Sequence, residues 1–355
     1  MIRMVLPPLL ALALAATMST TVRTALPGLP TRLDDYLART VKLTADERAQ
    51  LVAGQPITKL LDADGTKEVA VFGAVWVDAP MRRYVEQVKD IERFERGDGF
   101  KVTRRISATP TIEDFADVHV SDEDVADLRT CRIGDCNIKL DEKGLARFQT
   151  EIDWKAPNHT AAVDALMRQL ALQYVTGYLE GGNERLAVYR DKARPAFVGA
   201  EFRALIAEMP ELTDYMPDIR RYLLEYPKAN VPDSTSLLYW QVIEFGLKPT
   251  FRINHLMIRE RPDAVVIASK MLYASHYFWT GLELRALLPD PSRGPGFWFV
   301  SNYRGRADAL GGFKGSIIRG RVRSEVNNGA LAGLKLAKQT LEGRAEPVVS
   351  GRRPR

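Results

Sequence analysis

Hydrophobic and polar positions along this chain repeat with two different periods, and the period changes mark out its segments. From Val69 to Val77 there is no charged or polar break: Val69, Val71, Gly73, Val75 and Val77 share one parity, and Ala70, Phe72, Ala74 and Trp76 the other. Successive strand side chains point to opposite sides, so this run predicts a strand that is buried on both faces or lines a cavity. Asp78-Ala79-Pro80 ends it, and Tyr84, Val85, Val88, Ile91 and Phe94 then recur at spacings of three and four, which predicts a helix over 81–94. After the turn "RGDG" the stretches 100–108, 114–121 and 136–140 read as three short strands of an antiparallel sheet.

From 155 to about 245 the spacing is helical throughout, in "HTAAVDALMRQLALQYVTGYLEGG", "AEFRALIAEMPELTDYMPDIRRYLLEYP" and "STSLLYWQVIEFGL". Tyr174, Tyr178, Tyr189, Tyr215, Tyr222, Tyr226, Tyr239 and Trp240 read as residues packing between helices, with their polar tips in water. Strand periodicity then returns. Phe251, Ile253, His255 and Met257 share a parity, as do Val265, Ile267, Ser269 and Met271, then His276, Phe278, Thr280, Leu282 and Leu284, and finally Phe297, Phe299, Ser301 and Tyr303. With "RPD" and "PDPSRGPG" as hairpin linkers, these runs predict a four-stranded antiparallel meander. Val322, Val326, Ala330, Leu334 and Ala337 close the chain as the stripe of one long helix, and Gly329, Ala330, Ala332 and Gly333 suggest close approach to a sheet.

Upstream of these elements, residues 26–66 predict short helices. Thr44 and Glu47 have the spacing of a capping box, and Gly54 with Pro56 ends that helix. Residues 1–25 place Arg3 before the apolar run "MVLPPLLALALAA", which gives way to "TMSTTVRT". This is the layout of a signal peptide cleaved between Ala15 and Ala25. The run is too short and too broken by Pro7 and Pro8 to be read as a membrane span. The chain is therefore expected to be exported, periplasmic or secreted.

Composition changes this picture little: 46% hydrophobic and 27% charged residues are those of a soluble globular protein. The net charge of +5 is modest and concentrated in "IIRGRVR" and the tail 343–355, read as disordered. No basic stripe interleaved with aromatics points to nucleic acid. Basic residues of the last helix, Arg319, Arg321, Arg323, Lys335 and Lys338, suggest peripheral contact with an anionic membrane surface, though a solvated helix face is the simpler account of them.

The order strand 67–80, helix 81–94, antiparallel strands, meander and long C-terminal helix resembles START-like, helix-grip domains. In these, a curved antiparallel sheet wraps a closing helix around an apolar cavity. The resemblance implies an α+β fold with a START-like core over 67–154 and 247–342, interrupted by a helical insertion over 155–246, and binding of a hydrophobic small molecule, such as a lipid, between sheet and helix. It implies no cofactor.

Candidate chemistry is sparse. No GxSxG, HExxH, P-loop or CxxC occurs, and the four histidines, at 119, 159, 255 and 276, lack metal-ligand spacing. His255 and His276 share strand parity with large apolar residues, which predicts that both aim at the concave face of the sheet. There they would converge with Lys270, Tyr273, Tyr277 and Arg304 as polar groups in an apolar pocket, unless each histidine is simply bonded into the core. In "SNYRGRADALGGF" the arginines either hold an anionic group at a mouth loop or pair with Asp308 to fasten a turn.

Two other readings stay open. In one, a histidine serves as general base in an envelope enzyme, with Asp114, Asp117 or Asp153 to orient it; Ser275 is a poor nucleophile because strand neighbours point apart. In the other, "HYFW" and the helical insertion form the partner surface of an envelope interaction protein. Cys131 and Cys136 are the only cysteines. They have no nearby Cys or His pair to complete a zinc site and are not spaced as a thioredoxin-type pair. In an oxidising compartment they are expected to form a disulfide closing a tight loop turned by Gly134-Asp135.

Overall fold

The structure is a computed structural model and describes residues 29–97, 99–245, 247–308, 310 and 312–344. The expected signal segment 1–25 and residues 345–355 of the tail lie outside the described residues. In chain order the elements are α1 (Thr31–Tyr36), continued by a π-helical turn over Leu37–Val41, α2 (Ala45–Val52), β1 (Ile57–Leu60), β2 (Glu68–Val77), α3 (Met81–Lys89), α4 (Ile91–Phe94) and β3 (Phe100–Ile106). There follow α5 (Asp122–Thr130), α6 (Glu142–Glu151), α7 (His159–Gly181), β4 (Val188–Tyr189), β5 (Ala196–Phe197), α8 (Val198–Ala207), α9 (Pro210–Asp214) and α10 (Pro217–Glu225). Then come β6 (Ser234–Ile243), β7 (Thr250–Arg261), β8 (Ala264–Ala274), β9 (Phe278–Pro289), β10 (Phe297–Ala307) and α11 (Gly312–Leu341).

Eight strands form one sheet in the order β1-β2-β10-β9-β8-β7-β6-β3, every neighbouring pair antiparallel. The fold is thus α+β, with a large antiparallel sheet and a long C-terminal helix. All ten residues of β2 are buried, because it lies between β1 and β10 and both its faces are covered. The meander β7 to β10 follows the expected hairpins.

The sheet separates two layers of helices. One face presents Val75, Val77, Phe297, Phe299, Leu287, Ile267, Leu256 and Tyr239, and packs against Tyr84, Val85 and Val88 of α3, Ile91 of α4, and Leu334 and Leu341 of α11. The opposite face is covered in three patches. Leu33, Tyr36 and Leu37 of the N-terminal helices cover Phe72, Trp76 and Trp298. Phe202, Leu212, Ile219 and their neighbours from α8 to α10 cover Met257, Ala268 and Leu282. Val163, Val175 and Tyr178 of α7 meet Trp240, Ile253 and Leu272. The helical insertion is therefore a lid on the face that α11 does not touch. No helix among the described residues is long and apolar enough to cross a membrane.

Several sequence expectations are corrected. Residues 234–243, read as helical, are β6, a strand between β3 and β7. Apolar residues at all but one of positions 237–243 fit either period, and burial of Leu238, Tyr239, Trp240 and Gln241 on both faces selects the strand. The helical block therefore ends at α10, not at 246. Residues 114–121 are not a strand either. A capping box between Thr111 and Asp114 turns Ile112–Phe115 into a 3-10 helix, and Ser121 accepts from the amide of Asp124 (3.2 Å) to start α5. Residues 136–140 run past the end of β8, tied by the amide of Lys139 donating to the Ser275 carbonyl (2.8 Å), with no ladder of their own. The capping box at Thr44 and Glu47 forms as expected.

The closing helix approaches the sheet through the opposite partner from the one expected. Gly329 and Gly333 have open space where a side chain would be, so these two glycines of α11 do not face the sheet. The close approach is at Gly73 of β2, where an added Cβ would lie 2.8 Å from Cδ1 of Leu334. The C-terminal end is fastened by Lys338, whose Nζ donates to the Trp76 carbonyl (2.6 Å), and by Glu342, which accepts from the Asp78 amide (2.9 Å).

Replacing Gly73 by Val should therefore push α11 off the sheet and lower the unfolding free energy by about 1–3 kcal/mol. Gly329→Ala, in open space on a helix, should raise it by about 0.5–1 kcal/mol. Urea unfolding of the two variants checks this, and a larger loss at Gly329 than at Gly73 would contradict the packing described.

Candidate functional site

The six residues singled out from the sequence do not form one open pocket. His255 and Lys270 are cross-strand neighbours on β7 and β8, but they face the helical insertion, on the side opposite α11. His255 Nδ1 pairs with the Tyr178 hydroxyl at 2.9 Å and Nε2 with the Tyr222 hydroxyl at 3.2 Å, and the ring of Tyr226 packs edge-on at 4.6 Å. Lys270 Nζ is hydrogen-bonded to the Asn183 amide oxygen and lies 4.3 Å from the centroid of the Phe202 ring. Both residues are sealed, at 4% and 1% exposure. Burial, helped by the Lys270 charge, drives His255 down to about 3, and burial alone brings Lys270 to about 7. Two tyrosines of this block are not wet-tipped: Tyr178 bonds His255, and Tyr174 donates to the Leu272 carbonyl (2.6 Å).

The others are dispersed. Tyr273 donates to the Lys139 carbonyl (2.7 Å) among Tyr174, Tyr189 and Phe251. His276 is not on a strand but in the turn before β9, where Nδ1 meets the Asn137 carbonyl (2.9 Å) and Nε2 the Asp124 carboxylate (3.1 Å). Both nitrogens face protein oxygens. Tyr277, beside it, accepts from the Lys248 amide (3.0 Å). Arg304 lies within β10, not in a mouth loop, and its guanidinium is bound to Glu68. Arg306 joins the same carboxylate at 2.8 Å and Glu201 of α8 at 3.0 Å, while Asp308 pairs with Lys139. These arginines fasten β2, β10 and the insertion together and have no charge to offer a ligand. A recess near Ser121, Asp124 and Ser275 has a volume of about 60 Å³, enough for a water or two and far too small for an acyl chain.

The face under α3, α4 and α11 is different. Most of its residues are buried, yet Ser301 and Tyr303 of β10, Glu283 of β9, Ser269 of β8 and Arg252 of β7 are half-buried, so water reaches the middle of the sheet. They are neighbours by register: Tyr303 opposes Glu283, and Glu283 opposes Ser269. Helix α11 lies over β1 and β2 at the sheet's edge, and α3 and α4 pack on Phe299 of β10 and Arg285 of β9. The strip of half-buried residues left between these covers is the candidate groove.

Its polar end is a connected network. Glu95, at the end of α4, accepts from Gln241 Nε2 (2.6 Å) and from the Tyr239 hydroxyl (3.3 Å), and Tyr239 also meets Ser269 Oγ (3.0 Å). The Gln241 oxygen accepts from Arg252 Nη2 (2.7 Å) and Asn254 Nδ2 (3.1 Å). Arg285 binds Glu283 through both Nε and Nη2 and lies over the ring of Phe94, 5.4 Å from its centroid. Burial raises the Glu95 carboxyl above its usual range, against the pull of Arg285 and Arg252. Gly305 opposes Gly281, and a Cβ on Gly305 would come within 2.4 Å of the Tyr303 hydroxyl, so the Tyr303 ring fills the space above Gly305 and forms the floor there.

Sequence reasoning passed over this groove although it carried a signal. Ser269, Glu283, Arg285 and Asn254 are polar positions inside strands that are otherwise mostly buried; Asn254 reads as the polar side of an alternation, whereas Ser269 shares the parity of Val265, Ile267 and Met271. Gly281 and Gly305 interrupt the same strands. The disulfide between Cys131 and Cys136 does form, on a turn where Gly134 has φ of 85°. Among the described residues no group of three or more His, Cys, Asp or Glu side chains is placed to hold a metal ion. Comparison with protein-family models, curated proteins and solved structures finds no match to this chain.

The buried Lys270 predicts a pH dependence. Its pKa is depressed in the fold to about 7 from 10.5, so the unfolded chain holds more protons between those values and stability rises as pH rises through that window. Lys270→Met should flatten the rise and add about 1–3 kcal/mol at pH 6. Thermal unfolding of both proteins from pH 6 to 10 tests it, and parallel curves would contradict it.

Proposed function

We propose that this is an exported protein of helix-grip, START-like architecture that binds a hydrophobic small molecule, an amphiphile such as a lipid, in the groove between its sheet and closing helix. The observation that carries the proposal is the half-buried floor of Ser301, Tyr303, Glu283, Ser269 and Arg252 in the middle of a sheet face whose remainder is buried under α3, α4 and α11. Pockets for small molecules are mostly apolar and hold a few convergent polar groups, and this groove has both.

Three further features support the reading. First, β2 followed by two helices and β3, then β6 to β10 and a closing helix, with β2 paired to β10, is the order the helix-grip resemblance implies. Second, the insertion covers the other face and leaves the groove open. Third, a disulfide between the only two cysteines suits an oxidising compartment and hence export.

Native mass spectrometry of gently purified protein should show a co-purifying apolar ligand. Gly281→Leu tests the location: a Cβ there meets only ordinary contacts, the nearest at 3.5 Å, so the backbone tolerates it while the rest of the side chain enters the groove. Ligand occupancy should fall at least ~10-fold, corresponding to about 1.4 kcal/mol. Protein that is empty, with no affinity for apolar probes, would sink the proposal.

A further inference from the structure

We infer that the ligand's polar end is a single carboxylate, held by Arg252 at the inner end of the groove. This inference rests on the groove being the binding site. The two arginines of the groove differ in what they have left to give. Arg285 is spent on Glu283 through two parallel hydrogen bonds. Arg252 donates Nη2 to the neutral amide of Gln241 and, among the described residues, has no carboxylate at salt-bridge distance, while its side chain stays half-buried. A half-buried guanidinium without a counter-ion is a ready partner for an oxyanion through a charge-assisted bond.

The neighbours of Arg252 are fixed in the sense this requires. The Gln241 oxygen takes hydrogen bonds from both Arg252 and Asn254 while its nitrogen is turned to Glu95, so the guanidinium is held in place by a neutral acceptor. Ser269 and Tyr239 add hydroxyls beside it. Charge sets the size of the anion. Glu95 and Glu283 face the same space, and one uncommitted guanidinium between two carboxyl groups accommodates one negative charge better than two, which favours a carboxylate over a phosphate monoester dianion.

The tail also has a path. Asn254, Met271, Gly281, Gly305 and Val69 stand in one cross-strand row from β7 to β2. Four inter-strand steps span about 19 Å, the reach of an extended acyl chain. The far end of the row is apolar, where Val69 and Ala307 meet Val322 and Val326 of α11. A carboxylate at Arg252 and an alkyl chain running toward α11 match the polarity of the row at both ends.

The test is a fluorescence titration with cis-parinaric acid, its methyl ester, and monododecyl phosphate as competitor, on the wild type and on Arg252→Gln, Arg252→Lys and Gly281→Leu. Thermal melts establish that each variant is folded. The acid should bind the wild type at least ~10-fold more tightly than the ester, and better than the phosphate competes. Arg252→Gln should bring the acid down to the ester's affinity without changing the ester, and Arg252→Lys should keep part of the difference. Equal binding of acid and ester by the wild type would overturn the inference even if Arg252→Gln failed to fold. Acid binding that Arg252→Gln leaves unchanged, or tighter binding of the phosphate, would overturn it too. In those cases the groove itself survives if Gly281→Leu abolishes binding of both fluorescent probes. Failure of both probes to bind, or binding that Gly281→Leu leaves intact, removes the groove reading and this one with it.

Discussion

Both faces of β2 are out of water along its whole length, and this demand for two covers organises the rest of the chain. A half-buried sheet needs one layer of helices, whereas this sheet needs two, supplied from different parts of the sequence. Helices α3, α4 and α11, which flank the sheet-forming segments, cover one face. The N-terminal helices and the long block from α5 to α10 cover the other. The ion network of Glu68 with Arg304 and Arg306, carried on to Glu201, locks the second layer to the sheet. Its charges are buried, so removing any one partner would strand the others.

The two covers are unequal in quality, and that asymmetry is the basis of the proposed function. The insertion meets its face with interlocking aromatic rings. Tyr178, Tyr222 and Tyr226 close around His255, and even the ammonium of Lys270 is enclosed among Phe202, Tyr178 and Asn183. On the other face α11 hugs the edge at Gly73 and leaves the central strands half covered. A half-covered face that carries two arginines, two glutamates, a glutamine and an asparagine is costly to leave dry, and an amphiphilic ligand would satisfy both its polar and its apolar parts.

Much of the fold was legible in the sequence for a physical reason. The meander and the stripe of Val322, Val326 and Leu334 each repeat with a period that only one backbone geometry satisfies. Where apolar residues crowd together, as at 237–243, the period is lost, and 234–243 reads as helix although it is a strand whose second half is buried on both faces. Local capping chemistry at Thr111 and Ser121 overrode weak alternation in 114–121. The site was less legible than the fold. Parity shows that His255 and Arg252 lie on opposite faces, but not which face carries the closing helix. That depends on how distant segments pack, and choosing the wrong side placed the expected pocket where the insertion is docked. His276 failed differently, since the strand assumed to carry it begins two residues later, at Phe278.

The central claim is that ligand chemistry belongs to the face under α11 and that the aromatic cluster around His255 is structural. Fluorine NMR of protein labelled with 3-fluorotyrosine, each resonance assigned by single Tyr→Phe replacement, reads both faces in one titration with an amphiphile. The account predicts that Tyr303 and Tyr239 shift as the groove fills while Tyr178, Tyr222 and Tyr226 stay fixed. Shifts confined to Tyr178, Tyr222 and Tyr226 would contradict it.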